Sequence, residues 1–373
     1  LRAKWLVDAS GRASLFKRKL ALKKKVRHNI NAAWFRIAAK ISVDDWSKNT
    51  EWQQRNEQSR YLSTNHLYGK GYWTWLIPLS SGSTSIGIVA DERFHAYKSI
   101  NTFEKAREWL KKNEPQCSAM VEENLDCFQD FLALKQFSYS CKQLYSEDGW
   151  CLAGDSGMFL DPLYSPGSDF IGMNNGFITD IISKALAGQN ISVEVKEHER
   201  TFRSIFAGFL PIYEDQYPTM ANSKVMSSKF IWDLMMYWGG IGPLFFKQKL
   251  TDLKFMELVR PILSEFFILN VRLQNLFHDW AAIDDDQKHA AGFFLDYAEI
   301  PLLQQLNRNL LELQEDEALL QQLRKNIKSA QELAAEIYLE ALKYYPELKD
   351  ENVDLSNSQA EHLKDFYDEF IVC

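Results

Sequence analysis

"WCLAGDSGMFLDPLYSPGSDFIGMNNGF", residues 150–177, holds the passage whose reading decides the fold. Trp150 to Ala153 read as a short apolar strand that stops at Gly154-Asp155. A loop containing Pro162 and Pro166 follows, and a helical period begins near Ser168 or Asp169. Phe170, Ile171, Met173, Phe177, Ile178, Ile181 and Ile182 fall on that period, and Gly188 supplies its stop. A glycine at a strand end lets the backbone approach a ligand closely, and the aspartate beside it offers a carboxylate to hydroxyl groups. The helix beyond points its N-terminus and unpaired N–H groups back at the same place, which favours partial negative charge there. Taken singly, each of these residues is ordinary turn chemistry. Strand, Gly-Asp, Asp-Pro, Ser-Pro-Gly and helix in that order are much harder to obtain by accident.

Further towards the N-terminus, "AKWLVDASGR" (3–12) gives a second short strand, Trp5 to Val7, ending in an aspartate and a glycine. A strand with no lead-in turn reads as the middle of a domain, so the chain is expected to lack an N-terminal part. The basic run "FKRKLALKKKVRH" (16–28) reads as a solvated face, and residues 14–28 as helix or loop. Residues 29–46 mix apolar and polar positions as a strand does. Residues 60–91 look like successive strands, with "YWTWLIPL" and "TSIGIVAD" joined by "SSGS" as a hairpin. A helical pattern over 101–125 has Asn101 or Thr102 as its cap, and "ALKQFSYSCKQL" (133–144) reads as a strand. Beyond residue 191 the chain is mostly helical. Its clearest stripe, Leu320, Leu323, Ile327, Ala330, Ala334, Ile337 and Ala341, suits one helix docking on its own domain.

The 373 residues are 46% hydrophobic and 13% aromatic, enough for one large or two ordinary domains with a real core. A net charge of -7 argues against nucleic acid or an anionic membrane as the main partner. Cys117, Cys127, Cys141, Cys151 and Cys373 form no CxxC and no metal-ligand spacing with the seven histidines. Their odd number, without a signal peptide, suggests reduced thiols and a cytoplasmic protein with no metal. The most apolar stretch, "FIWDLMMYWGGIGPLFF" (230–246), contains Asp233, three glycines and Pro243. It is shorter than the ~20 residues of a spanning helix, so it reads as a buried helix and turn and not as a transmembrane segment. Its Trp232, Tyr237, Trp238, Phe245 and Phe246 suit either a core or the wall of an aromatic or lipid pocket.

Three strings together carry a resemblance: "VDASGR" (7–12), "WTWLIP" (73–78) and "GDSGMFLDPLYSPG" (154–167). They resemble the flavin-dependent halogenases and their relatives among the FAD monooxygenases, over roughly the first half of the chain. W-x-W-x-I-P is the most specific of the three. The resemblance implies an α/β fold: a partial FAD-binding, Rossmann-type (glutathione-reductase-like) domain with an inserted, mostly antiparallel sheet and a helical C-terminal region. The expected division is 1–28 and 141–190 for the FAD-binding part, 29–140 for the sheet and 191–373 for the helices.

By the same resemblance, Asp8 and Gly11 lie near the nucleotide half of FAD. Asp155, beside Gly154, binds the ribityl or pyrophosphate region. Pro162 and the segment Ser165-Pro166-Gly167-Ser168 pass along the isoalloxazine, and Ser165, Gly167 and Ser168 are the halide candidates. Trp73 and Trp75 shield the flavin face and the tunnel leading from it. The implied activity is halogenation of an electron-rich organic substrate, free or carrier-bound, with FAD reduced by a separate NAD(P)H flavin reductase. A flavin monooxygenase or reductase on the same scaffold is the rival, and an inactive or binding-only fragment a third possibility.

Two departures stand out. G-x-G-x-x-G, which cradles the FAD pyrophosphate, is absent from the sequence, and none of the lysines, Lys70 included, matches the family's catalytic lysine. Residues 1–373 alone are therefore expected to bind FAD weakly. Pro166 occupies the place of a Ser or Thr in the halide segment and has no N–H to donate.

Overall fold

The computed structural model describes residues 2–56, 58–284 and 296–348. Leu1, Cys373 and the rest of 349–373 lie outside the described residues. The described chain divides into two compact units, one from 28–137 with 217–222 and one from 1–27, 138–216 and 223–348.

The chain opens with β1 (Leu6–Asp8), a short α1 (Leu15–Lys19) and β2 (Lys23–Lys24). The sheet unit then contributes β3 (Ile30–Ile37), α2 (Thr50–Gln54), β4 (Asn65–Gly69), β5 (Tyr72–Pro78), β6 (Thr84–Asp91), α3 (Phe103–Asn113), α4 (Pro115–Glu123) and β7 (Phe128–Leu134). Its five strands pair in the order β4-β5-β6-β3-β7, antiparallel throughout. The strand expected over 29–46 stops at Ile37, beside a register shift against β7, and Val43–Trp46 form a 3-10 turn instead. Thr102 caps α3 through its hydroxyl, and Pro115 opens a second helix where one was expected. Alternation along β5 sends Tyr72 and Leu76 to a core with Phe35, Ile86, Ile88 and Trp109. The ends of this excursion meet, since the Phe137 amide donates to the Ile30 carbonyl at 3.3 Å.

The second unit resumes with β8 (Ser140–Cys141), β9 (Tyr145–Ser146) and β10 (Trp150–Leu152). The single strand expected over 133–144 is thus the end of β7, a loop and β8. β1 runs parallel to β10 in register Leu6↔Trp150, Val7↔Cys151 and Asp8↔Leu152, and β9 completes the three-stranded sheet. The remaining elements are helical: α5 (Pro166–Leu186), α6 (Ser192–Phe209), α7 (Ser223–Met236), a π-helical segment (Tyr237–Ile241), α8 (Gly242–Phe246), α9 (Leu253–Ile283), α10 (Pro301–Asn309) and α11 (Asp316–Tyr344). The predicted stripe of α11 is buried from Leu320 to Ala341, with α9 among its neighbours. The 230–246 stretch is continuous helix with a π segment where a turn was expected; Asn326 donates to the Gly239 carbonyl there at 2.9 Å. No helix among the described residues is long and apolar enough to cross a membrane.

Candidate functional site

Two parallel strands ending side by side place their following loops together, and α/β sheets bind ligands at such carboxyl ends. Here the loops are Asp8–Arg12 after β1 and Gly154–Gly157 after β10. The Asp8 carboxylate accepts from the amides of Ser10 at 2.9 Å and Phe16 at 2.7 Å, so both oxygens organise the loop that carries Gly11. Burial pulls the Asp8 carboxyl upward, but those hydrogen bonds prevail and hold it below the ordinary aspartate range. Gly11 sits at φ +58° with open space where a side chain would begin. Gly154, at φ +54°, is closed in by Ile171, whose Cγ1 would lie 2.9 Å from an added Cβ.

Asp155 follows, half-buried. Its backbone carbonyl accepts from the Tyr139 hydroxyl at 2.5 Å, while its carboxyl oxygens take no hydrogen bond among the described residues. Burial pushes that carboxyl up, opposed by the charges of Arg12 and Lys17. A carboxyl facing two cations and lacking a donor fits a ligand hydroxyl. The basic run at 16–28 is mostly solvated, as expected, but Lys17 and His28 are buried. Lys17 donates to the Gly157 carbonyl at 2.8 Å and lies 3.9 Å from the Tyr139 ring centre. Burial lowers its pKa to about 8. Sequence periodicity gave no sign of this, because its acceptor is 140 residues away along the chain.

The loop to α5 turns at Pro162, whose carbonyl accepts from the Ser165 amide at 3.0 Å. Tyr164 and Ser165 both adopt left-handed backbone, at φ 65° and 56°, uncommon for non-glycine residues in succession. They deliver the chain into α5 two residues earlier than expected, with Pro166 at its first position, where a missing N–H costs no helical bond. Gly167 and Ser168 therefore hold first-turn N–H groups, whereas that of Ser165 is spent on the turn.

Pro166 and Phe170 face a narrow crevice shared with Gly154 and Asp155, and also line a cavity of about 200 Å³. α5, α6, α7 and the π segment wall that cavity, with Phe209, Phe230, Tyr237 and Trp238 among its rings. Of the aromatic candidates in 230–246, Tyr237 and Trp238 line it, Trp232 is buried and donates to Asn270, and Phe246 is half exposed. Among the described residues Asp169 and Asp233 are its carboxyls, neither of which periodicity singled out.

Trp73 and Trp75 belong to the sheet unit. They share one face of β5, with ring centres 5.6 Å apart. Trp73 is buried and donates to the Tyr217 hydroxyl at 3.0 Å. Trp75 donates to Ser85 at 3.1 Å and lies over Gly87, where an added Cβ would come within 2.1 Å of the indole.

No family model matches the chain. Curated relatives do, and those matched are flavin-dependent halogenases. The flavin-dependent halogenase chlA of Dictyostelium discoideum is 25% identical over 260 residues, covering 66% of this chain and 41% of that protein. A 1H-pyrrole-2-carbonyl-[peptidyl-carrier protein] brominase of Pseudoalteromonas luteoviolacea is 30% identical over 193 residues, covering 51% of this chain and 44% of that protein. The chain thus spans about two fifths of the length of these relatives. Halogenase PltM, solved with phloroglucinol and FAD, aligns at TM-score 0.53 and 16% identity over 89% of this chain and 64% of its own. That likeness is one of fold.

Proposed function

We propose that this protein is a flavin-dependent halogenase that holds reduced FAD at the Gly154–Gly157 loop and an electron-rich organic substrate in the cavity beyond Pro166. The observation that carries the proposal is the position of the first turn of α5. Pro166 and Phe170 line both the narrow crevice at Asp155 and the aromatic cavity, so one helical turn separates the loop after β10 from a substrate-sized space. The similarity to halogenases in sequence, and to an FAD-bound halogenase in fold, supports the same assignment.

When bound, reduced FAD supplies, with O₂, the oxidising power that turns halide into an electrophile. The chain's own residues do the rest. The Asp155 carboxyl accepts a ribityl or ribose hydroxyl, and Gly11 lets backbone approach the nucleotide half. Asp8 works through the loop it organises. The N–H groups at Gly167 and Ser168, with the helix dipole behind them, hold the halide, and Pro162 with Ser165 shapes the turn that aims them. By the resemblance alone, Trp73 and Trp75 are assigned the screening of the flavin from bulky molecules. A separate NAD(P)H flavin reductase supplies reduced flavin in the cytoplasm, and the substrate is a small molecule, free or carrier-bound.

Direct oxygenation is the second reading, and the structure offers one observation in its favour: Pro166 lacks an N–H and Ser165 has spent its own, which leaves few halide donors. The test supplies the protein with reduced FAD, O₂ and bromide or chloride, and screens electron-rich aromatics by mass spectrometry. Halogenated product that rises with halide concentration is expected. Hydroxylated product indifferent to halide would establish the oxygenase.

A further inference from the structure

The aromatic cavity has a charge pattern that narrows what it accepts. Among the described residues no lysine, arginine or histidine lines it, while Asp169 and Asp233 both do. The two aspartates are not equivalent. Asp233 is fully buried and spoken for: Lys229 Nζ lies 2.7 Å from one oxygen and the Gln274 amide donates to the other at 2.8 Å. Charged or neutral, that pair adds no net charge. Asp161, also buried, acts on the same lysine, so Lys229 is not a spare cation for the cavity.

Asp169 has no such partner. Burial pushes its carboxyl up, and the one group that opposes this is the Tyr237 hydroxyl. A carboxylate at an apolar wall is costly unless a positive charge comes to it. The remaining surroundings favour an organic cation. Phe170 and Phe209 stand edge to face at 6.2 Å, as do Phe209 and Tyr237 at 6.4 Å, while Tyr164 and Phe230 are tilted at 5.8 Å. Rings in several orientations present both faces and edges, and faces attract ammonium groups. The volume, about 200 Å³, lies at the small end of ligand pockets and suits one aromatic ring with a short arm.

We infer that this cavity binds a protonated arylalkylamine, with Asp169 as counter-ion and the aromatic side chains as walls. The inference takes its meaning for substrate choice from the halogenase reading, but the binding it describes needs neither flavin nor halide. A ligand carboxylate would meet two acids and no base, and is excluded. A neutral hydroxyl would leave Asp169 without compensation, and binds less well.

Three probes with the same ring and arm length test this by calorimetric titration of the full chain: phenethylamine, 2-phenylethanol and phenylacetate. Phenethylamine is expected to bind at least tenfold more tightly than the alcohol, and phenylacetate not to bind. Asp169→Asn should abolish the tenfold preference while leaving the alcohol within twofold of its original affinity. Phe230→Ala, which removes a wall and no charge, should weaken amine and alcohol alike and keep their ratio. Should Asp169→Asn fail to fold, the unmodified protein and Phe230→Ala still decide the matter. Equal binding of amine and alcohol, tighter binding of the acid, an amine preference that survives Asp169→Asn, or no binding by any probe would each overturn the inference. The halogenase reading fails separately, through absence of halide-dependent product, which these titrations do not measure.

Discussion

The sheet unit and the helical unit treat polar groups in opposite ways. In the sheet unit β3 and β6 pair over eight consecutive residues, the core beneath is apolar, and the buried Asp91 reaches an exposed partner, Arg93, at 2.6 Å. In the helical unit Lys17, Lys229 and Asp233 are buried, Tyr164 and Ser165 hold left-handed backbone, and a helix widens to π geometry beside a cavity. Departures from local rules gather where ligands are proposed to bind, and the regular unit supplies a scaffold around aromatic side chains.

The contrast can be broken by substitutions that test each unit's rule. The largest effect is expected at Lys229. Lys229→Met strands Asp233 in the interior and should cost about 3–5 kcal/mol in denaturant unfolding, whereas Lys229→Met with Asp233→Leu should recover most of the loss. Equal losses in the two variants would show that packing, not charge pairing, matters there. Next, Asp155→Ala should cost about 1.5–3 kcal/mol of FAD affinity, the worth of a charge-assisted hydrogen bond. Unfolding without flavin should barely move, because the carboxyl has no donor among the described residues. Unchanged FAD affinity would return Asp155 to a turn residue.

In the sheet unit, Gly87→Ala drives a Cβ into the Trp75 indole and should cost about 1–3 kcal/mol by overpacking. A neutral result would mean that Trp75 moves freely, which weakens its role as a screen. The smallest effect sharpens the comparison through pH. Lys17 has its folded pKa lowered to about 8, below its unfolded value, so between those two pH values the unfolded chain holds the extra proton. Stability from this group must therefore rise with pH above 8, by no more than about 1.4 kcal/mol per pH unit. The stability of the wild type relative to Lys17→Met should increase between pH 8 and pH 10. A difference that stays flat would mean that Lys17 is solvated.

Legibility followed the same divide. Alternation in 72–91 and the helical stripe from Leu320 to Ala341 are periodic signals, and the structure follows both closely. The ends of β1 and β10 were recognisable as Gly- and Asp-bearing strand termini, and they pair in parallel. What sequence did not show depends on partners distant along the chain. Lys17 hides in a basic run because its acceptor lies across the fold, and Asp169 gains its importance from helices that begin tens of residues later. Pro166 is a lost donor for a halide, but as the first residue of α5 it costs the helix no hydrogen bond, which the sequence alone did not show. The π segment has no short-range signature beyond its two successive glycines.

The meeting of Ile30 and Phe137 bears on how the chain folds. β1 must find β10 across more than a hundred intervening residues, a distant pairing of the kind that slows folding. If the sheet unit forms first, Phe137 comes to rest beside Ile30, and the excursion becomes a knot of fixed ends in place of a free coil. The remaining search for β1 and β10 is then that of a short loop, whose closure entropy is smaller. On this order of events the antiparallel sheet acts as a clasp, and the parallel strands β1 and β10 pair only once it has closed.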